Sequence, residues 1–316
     1  MATSGTYTFS RNRDQLLTRA LRLSGAIGSG DTPDSQTITD AAEALNGMVK
    51  HWQATGIHIW RTTEATIFLQ ANQVRYTLSS TSTDHATESF TETTLSAAAA
   101  DGASTISVTS ATGIATTYNI GVQVDDGTIH WTTVNGAPSG TTVTLTAALD
   151  DSAASGSRVY VYQTKLVRPL KIISGRRYNF ASAIDTPVNE FDRIEYQELP
   201  NKTSTGVVNG FYYDRRGGAN SSGYLYIWQP STAIEDALKV TVARPIQDFS
   251  AAGDDADLPQ ECTEAIVWNL AANLAIEYDA PDAKLARLQD KATQYLGEID
   301  WAERELMSIE FVPDIR

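Results

Sequence analysis

The sequence predicts an α+β protein: a helical framework of four main helices with β-hairpins, carrying an inserted small all-β barrel or sandwich. Three observations predict this class. Both ends of the 316-residue chain place apolar residues at helical spacing, whereas the stretch from about 86 to 164 alternates every second residue. That stretch is rich in Thr, Ser, Ala and Gly, with Arg158 as its only Lys or Arg. Basic LVRPLKIISGRRYNF follows at once, so the chain reads as leaving one framework near Ser80 and rejoining it near Lys165. The expected division is 1–85 with 165–316 as framework, and 86–164 as an outward-projecting β-module.

The first helix is expected over Arg13 to Leu23, with Leu16, Leu17, Ala20 and Leu21 on one face, Ser10 or Asn12 as cap and Gly25 as stop. In the second, Ile38, Ala41, Leu45, Met48 and Trp52 line up behind a capping box of Thr37 and Asp40, and Gly56 ends it. From Ile57 to Leu78 the pattern turns β-like around Ala71, Asn72 and Gln73, which predicts a hairpin. In the module the runs STISVTS, NIGVQV, TIHWTTV, TTVTLT and SRVYVYQ predict five strands, and Asp125-Asp126-Gly127 predicts a hairpin turn. The middle mixes strands and turns, with YLYIWQP and ALKVTVARP the clearest strands. Two helices close the chain. EAIVWNLAANLAIEYD, introduced by Pro259, is apolar nearly all round and so needs neighbours on several sides. The last repeats Leu285, Leu288, Ala292, Tyr295, Ile299, Ala302, Leu306 and Ile309 as a lengthwise seam, about 40 Å long at 1.5 Å per residue, with Gly297 as a possible break.

A net charge of −14 keeps a chain soluble and discourages lasting contact with polyanions, whereas a dedicated nucleic-acid binder is ordinarily basic. No run approaches the roughly 18 apolar residues of a membrane span, and MATSGTYTFSRNR lacks the apolar core of a signal peptide. The single Cys262 has no disulfide partner in the chain, which fits assembly in a reducing cytoplasm, and its apolar surroundings read as burial.

The residue patterns of catalysis are missing: there is no G-x-S-x-G, and Cys262 has no nearby histidine. His51, His58, His85 and His130 show no helical metal-ligand spacing. Asp125-Asp126, Asp150-Asp151 and Asp254-Asp255 with Asp257 could supply an acid and a base, but all fall at turns or caps where Asp bonds the backbone. GAIGSG at Gly25–Gly30 follows a helix and lacks the P-loop lysine. The expectation is a non-enzyme without cofactor or metal. Lys165, Arg168, Lys171, Arg176 and Arg177 form a basic band that either meets phosphate in a DNA channel or salt-bridges this acidic chain.

The order of helix–stop–helix ending in LNGMVKHWQATGIHIW, then ELPNKTSTGVVNGFYYDRR, YLYIWQP and DLPQECTEAIVWNLAANLAIEYDAP, resembles the head-to-tail adaptors of tailed bacteriophages. Among these it is most similar to the tail accessory factor, or packaged-DNA stabilisation protein, of short-tailed phages. The resemblance covers residues 5 to 80 and 165 to 310 and leaves out the insertion. It implies a homo-oligomeric ring, typically of twelve copies, at the head–tail junction of the virion, assembled in the host cytoplasm. Such a ring sits beneath the portal protein, extends the DNA channel, retains packaged genome while double-stranded DNA passes, and docks tail tube, nozzle or fibre proteins, with no membrane partner.

FYYDRR and YLYIW are then expected to pair, leaving Asp214, Arg215 and Arg216 at the Gly-rich tip RRGGANSSG to touch a neighbouring subunit or tail protein. The ending Phe311, Val312, Pro313, Asp314, Ile315 and Arg316 is expected to dock on the portal as an extended peptide. An alternative class is an adhesion or carbohydrate-binding tail protein, acting through Tyr118, Trp131, Tyr160 and Tyr162 of the inserted module. A third reading is a tail depolymerase using a carboxylate pair.

Overall fold

The computed structural model describes residues 5–6, 9–55, 62–215, 222–232 and 234–302. Its helices are α1 (Arg13–Ser24), α2 (Ser35–Thr55), α3 (Arg193–Glu198), α4 (Thr263–Glu277) and α5 (Asp282–Ala302). The framework strands are β1 (Thr62–Phe68), β2 (Arg75–Leu78), β3 (Ala86–Thr87), β10 (Lys171–Asn179), β11 (Ile184–Glu190), β12 (Gly210–Asp214), β13 (Gly223–Trp228) and β14 (Asp236–Ala243). Those of the inserted stretch are β4 (Thr91–Thr94), β5 (Thr105–Ser107), β6 (Asn119–Gln123), β7 (Ile129–Thr133), β8 (Thr142–Thr144) and β9 (Arg158–Tyr162). Contacts divide the chain into two compact units, Met1–Arg61 with Ile246–Arg316, and Thr62–Pro245. The first is helical and the second is the β-unit.

In the helical unit, α1 starts where expected. The Asn12 side chain accepts from the Gln15 N–H at 3.0 Å, Gln15 returns a bond to the Asn12 N–H at 3.2 Å, and Gly25 closes the helix in the left-handed region. The cap of α2 differs from expectation. Asp34 Oδ1 accepts from the Thr37 N–H at 2.8 Å, while Asp40 accepts from Gln36, so the capping side chain lies one turn earlier than Thr37. Aspartate just before the first turn satisfies a free N–H and sits at the positive end of the helix dipole, and these together set the start. α4 follows a single 3₁₀ turn over Gln260–Cys262 and is packed by α1, α2 and α5, which explains its apolar residues all round. Cys262 is buried. α5 runs unbroken through Gly297 over its 21 residues, about 31 Å at the α-helical rise. Leu288 and Ala292 of its seam are buried, with Leu285 and Tyr295 packed beside them. Leu306 and Ile309 lie outside the described residues.

The β-unit is built on an eight-stranded sheet in the order β2-β13-β12-β11-β10-β14-β1-β3. The expected hairpin between β1 and β2 does not form. β1 instead pairs with β14 along its whole length, from Thr62↔Ala243 to Phe68↔Ala237, while β2 pairs with β13 near the other end of the order. A seven-residue ladder that buries Ala65 and Ile67 beside Val240 and Leu238 outweighs what the four-residue strand RYTL could offer. The turn at Asn72 (φ 63°) therefore spans from one end of the sheet to the other, and the Tyr76 hydroxyl accepts from the Gln70 N–H at 2.8 Å across that gap. The sheet curls into a nearly closed barrel around Ile67, Tyr76, Ile172, Phe211, Leu225 and Val240.

All five module runs form strands. A four-stranded sheet, β4-β9-β6-β7, and the β5–β8 pair enclose a core including Val108, Ile120, Val122, Val143 and Val159. Asp125-Asp126-Gly127 turns β6 into β7, with Gly127 at φ 84°. β4 has no signature in the sequence, because the four residues TETT carry no apolar alternation. The fold is thus α+β, with a helical bundle, a barrel and an inserted β-module.

Candidate functional site

Strand alternation separates the two central arginines of the basic band. Arg177 lies opposite Leu238, a core residue of the barrel, and its Nε is buried without a partner. Arg176 lies on the other face, paired with Glu64 and 3.7 Å from Asp185. Lys165 donates to the Ser82 carbonyl at 2.5 Å, and Arg168 to the Arg215 carbonyl at 3.0 Å. Lys171 begins β10 and is exposed, close enough to Glu190 to oppose the upward push of burial on that carboxyl. Among the described residues, the band is therefore a set of separate local contacts.

β12 and β13 do pair, Tyr212 facing Tyr226, which places Asp214 opposite Tyr224 and an exposed Arg215 just beyond the ladder. Arg216 lies outside the described residues, as do Phe311, Val312, Pro313, Asp314, Ile315 and Arg316. Behind the strand pair, Tyr196 of α3 stacks on Tyr212, with ring centroids 5.5 Å apart, and the Lys202 ammonium lies 5.5 Å from the Tyr196 ring.

Two of the three aspartate clusters hold backbone, while Asp150 of the third bonds His130. Asp126 accepts from the Thr128 N–H at 2.8 Å, Asp125 from Ser152 and the Ala154 N–H, and Asp254 from the N–H groups of Ser250 and Ala251. Those bonds hold the Asp254 carboxyl below its ordinary pKa. Asp257 accepts from the Gln247 N–H. Among the described residues no three His, Cys, Asp or Glu side chains gather as a metal site, and no helix is long and apolar enough to cross a membrane.

Of the module's aromatics, Trp131, Tyr160 and Tyr162 pack against the barrel, while Tyr118 lies half-buried beside the module's own core. Tyr160 and Tyr162 are 0% and 2% exposed and pack with Phe68 and Phe180, the Phe68 and Tyr160 centroids being 4.9 Å apart. They have no open face for a sugar ring. Gln70 fastens the same junction as a side-chain strand, its amide donating to the Ile129 carbonyl at 2.8 Å and accepting from the Ile129 N–H at 3.1 Å.

Beside this junction, within the β-unit, lies a cleft of about 650 Å³ between the 82–85 loop and β7. It brings together two histidines that the sequence leaves 45 positions apart. The His85 ring stacks on Trp131 at 3.9 Å with 6° between the planes, and its Nδ1 lies 2.6 Å from the Tyr162 hydroxyl. Burial, helped by the nearby Lys165 charge, lowers the His85 pKa to about 3, so the ring is neutral at physiological pH. The other face of Trp131 lies over Gly121, where a Cβ would come within 2.7 Å of the indole. His130, with 10% of its side chain exposed, bonds Asp150 at 2.7 Å through Nδ1 and leaves Nε2 buried without a partner. Such an orphan costs about 1–3 kcal/mol until something bonds it. Asp84 accepts from the Thr77 N–H and from Gln73, both at 2.6 Å, and offsets part of the burial that lowers the Lys165 pKa. The one sequence hint of this cleft was the position of His85 at the edge of the composition change.

No protein-family model matches the sequence, and no curated protein matches it. Among solved structures, the Gp54 tailspike of Acinetobacter baumannii bacteriophage AP22, in complex with A. baumannii capsular saccharide, is similar at 19% identity and a TM-score of 0.20. That alignment spans 23% of this chain and only 15% of the tailspike's length. VP17, a capsid protein of bacteriophage P23-77, is similar at 11% identity and a TM-score of 0.11, over 60% of this chain and 77% of that one. Both are bacteriophage proteins.

Proposed function

We propose that the chain is a structural subunit of a bacteriophage particle, and within it a head-to-tail adaptor that assembles as a ring under the portal. The observation that carries this reading is the helical unit. Segments separated by more than 200 positions, α1–α2 and α4–α5, make one core around a largely buried α4. They contain the stretches LNGMVKHWQ and EAIVWNLAANLAIEYD on which the resemblance to phage adaptors rests. In this role the negative charge keeps the ring from holding DNA that must slide past it. The β12–β13 tip with Asp214, Arg215 and Arg216 meets a neighbouring subunit or tail component, and Phe311 to Arg316 engages the portal.

The test is to mix the purified chain with the portal protein of the same genome and follow the product by native mass spectrometry and negative-stain imaging. Rings seated on the portal are expected, and a chain that stays monomeric beside the portal refutes the adaptor role. Deleting 311–316 should abolish portal binding while the helical circular dichroism persists. Arg215→Ala with Arg216→Ala should impair ring or particle completion, and unchanged particles would remove those residues from the interface.

A further inference from the structure

We propose that the cleft between the 82–85 loop and β7 binds a short neutral saccharide, a function separate from the adaptor role and independent of it. Its volume of about 650 Å³ falls among small-molecule sites, which run from roughly 300 to 1,000 Å³. The lining charges are Lys165 against Asp84 and Asp150, with no clustered cations, so nothing there favours phosphate or a nucleic-acid backbone. Trp131 has one face under His85 and the other on Gly121, so a nucleobase or other flat aromatic ligand finds no indole face to stack upon. A hydroxyl-rich aliphatic ring needs something else: donors and acceptors interleaved at fixed positions.

The cleft supplies them, each already oriented by a second protein group. Asn119 donates to the Gln163 carbonyl at 3.3 Å and keeps its own carbonyl oxygen to accept. Thr132 accepts from the Ala147 N–H at 2.9 Å and keeps its hydroxyl proton to donate. Asp150 is held by His130 through one oxygen, and Lys165, fixed on the Ser82 carbonyl, has further N–H groups to give. Groups locked in this way lose little freedom when a ligand arrives, which is what makes a pocket a binding site.

The 316-residue chain would be applied to an array of neutral and charged glycans, and any neutral hit titrated by calorimetry against the parent chain, Asn119→Ala, Asp150→Asn and Lys165→Met. Thermal melting would check that each variant is folded. The expected result is a neutral oligosaccharide whose affinity falls about tenfold or more in each cleft variant, the loss of one well-placed polar contact. Tyr226→Phe, on the β12–β13 pair, should leave binding unchanged. Three results overturn the proposal: no neutral glycan retained, retention unaffected by the cleft variants, or retention confined to sulfated and phosphorylated glycans. Portal binding, measured separately, is unaffected by any of these outcomes.

Discussion

At the scale of single residues, Trp131 is held between His85 and Gly121, and each neighbour makes a distinct prediction. Gly121→Ala would push a methyl to 2.7 Å from the indole, and should destabilise the β-unit by about 1–3 kcal/mol, read from its thermal or urea midpoint. His85 takes up a proton near pH 6.5 in the unfolded chain but only at about pH 3 in the fold. Between those values the unfolded chain holds the extra proton. Stability is therefore full above about pH 6.5 and declines as the pH falls towards 3, by up to about 1.4 kcal/mol per pH unit. His85→Phe keeps a ring on Trp131 and removes the titration, so its urea midpoint should vary less between pH 7 and 4 than that of the parent. An equal slope would show that His85 does not set it. Little of this was legible in the sequence. The sequence shows His85 and His130 without helical metal-ligand spacing, and their meeting depends on how the module packs against the 82–85 loop, which no spacing encodes.

At the scale of elements, the cap and stop of α1 are legible in the sequence, whereas the cap of α2 and the strand partners are not. The Asn12 box and the Gly25 stop are local chemistry, visible in RNRDQ and LSG. Asn12→Ala should cost about 1 kcal/mol of helical-unit stability, measurable as a lowered midpoint at 222 nm. The pairing of β1 and β2 was misread because a turn signal shows where the chain bends but not which strand each arm then meets. The decisive fact was the longer apolar ladder offered by β14, more than 160 residues away. Arg176 and Arg177 teach a similar lesson. As neighbours in sequence they looked like one basic patch, and the two-residue period of a strand puts them on opposite faces. Gln70 stands in for a strand at Ile129, so Gln70→Ala should leave that buried backbone pair unmet and cost about 1–3 kcal/mol, seen as faster amide exchange at Ile129.

At the scale of the whole molecule, the helical, barrel and module cores draw on separate sets of residues, with one further cluster shared by barrel and module. Periodicity made the helical and module bodies readable, since 3.6- and 2-residue repeats are printed directly in the apolar positions, whereas the framework strands read only as hairpins and not as one eight-stranded sheet. The buried role of α4 was equally readable, because a helix apolar all round cannot face water. Leu270→Ala, at its fully buried centre, should cost about 2–5 kcal/mol and appear in the helical signal. Val240→Ala should do the same for the barrel.

The two inserted bodies begin and end side by side. Thr62 and Ala243 are paired across adjacent strands, and the Leu166 N–H donates to the Ala86 carbonyl at 2.8 Å. Each body therefore enters and leaves at points about one strand spacing apart, roughly 5 Å, a gap that a short turn can bridge. Recombination could exchange such a segment at these ends, provided the incoming body also covers Phe68 and Phe180 where the module now packs. A lineage of these chains could thus change an inserted segment while the backbone that carries it keeps its fold. For a protein engineer, positions 86 and 166 mark graft points at which a foreign domain could be displayed.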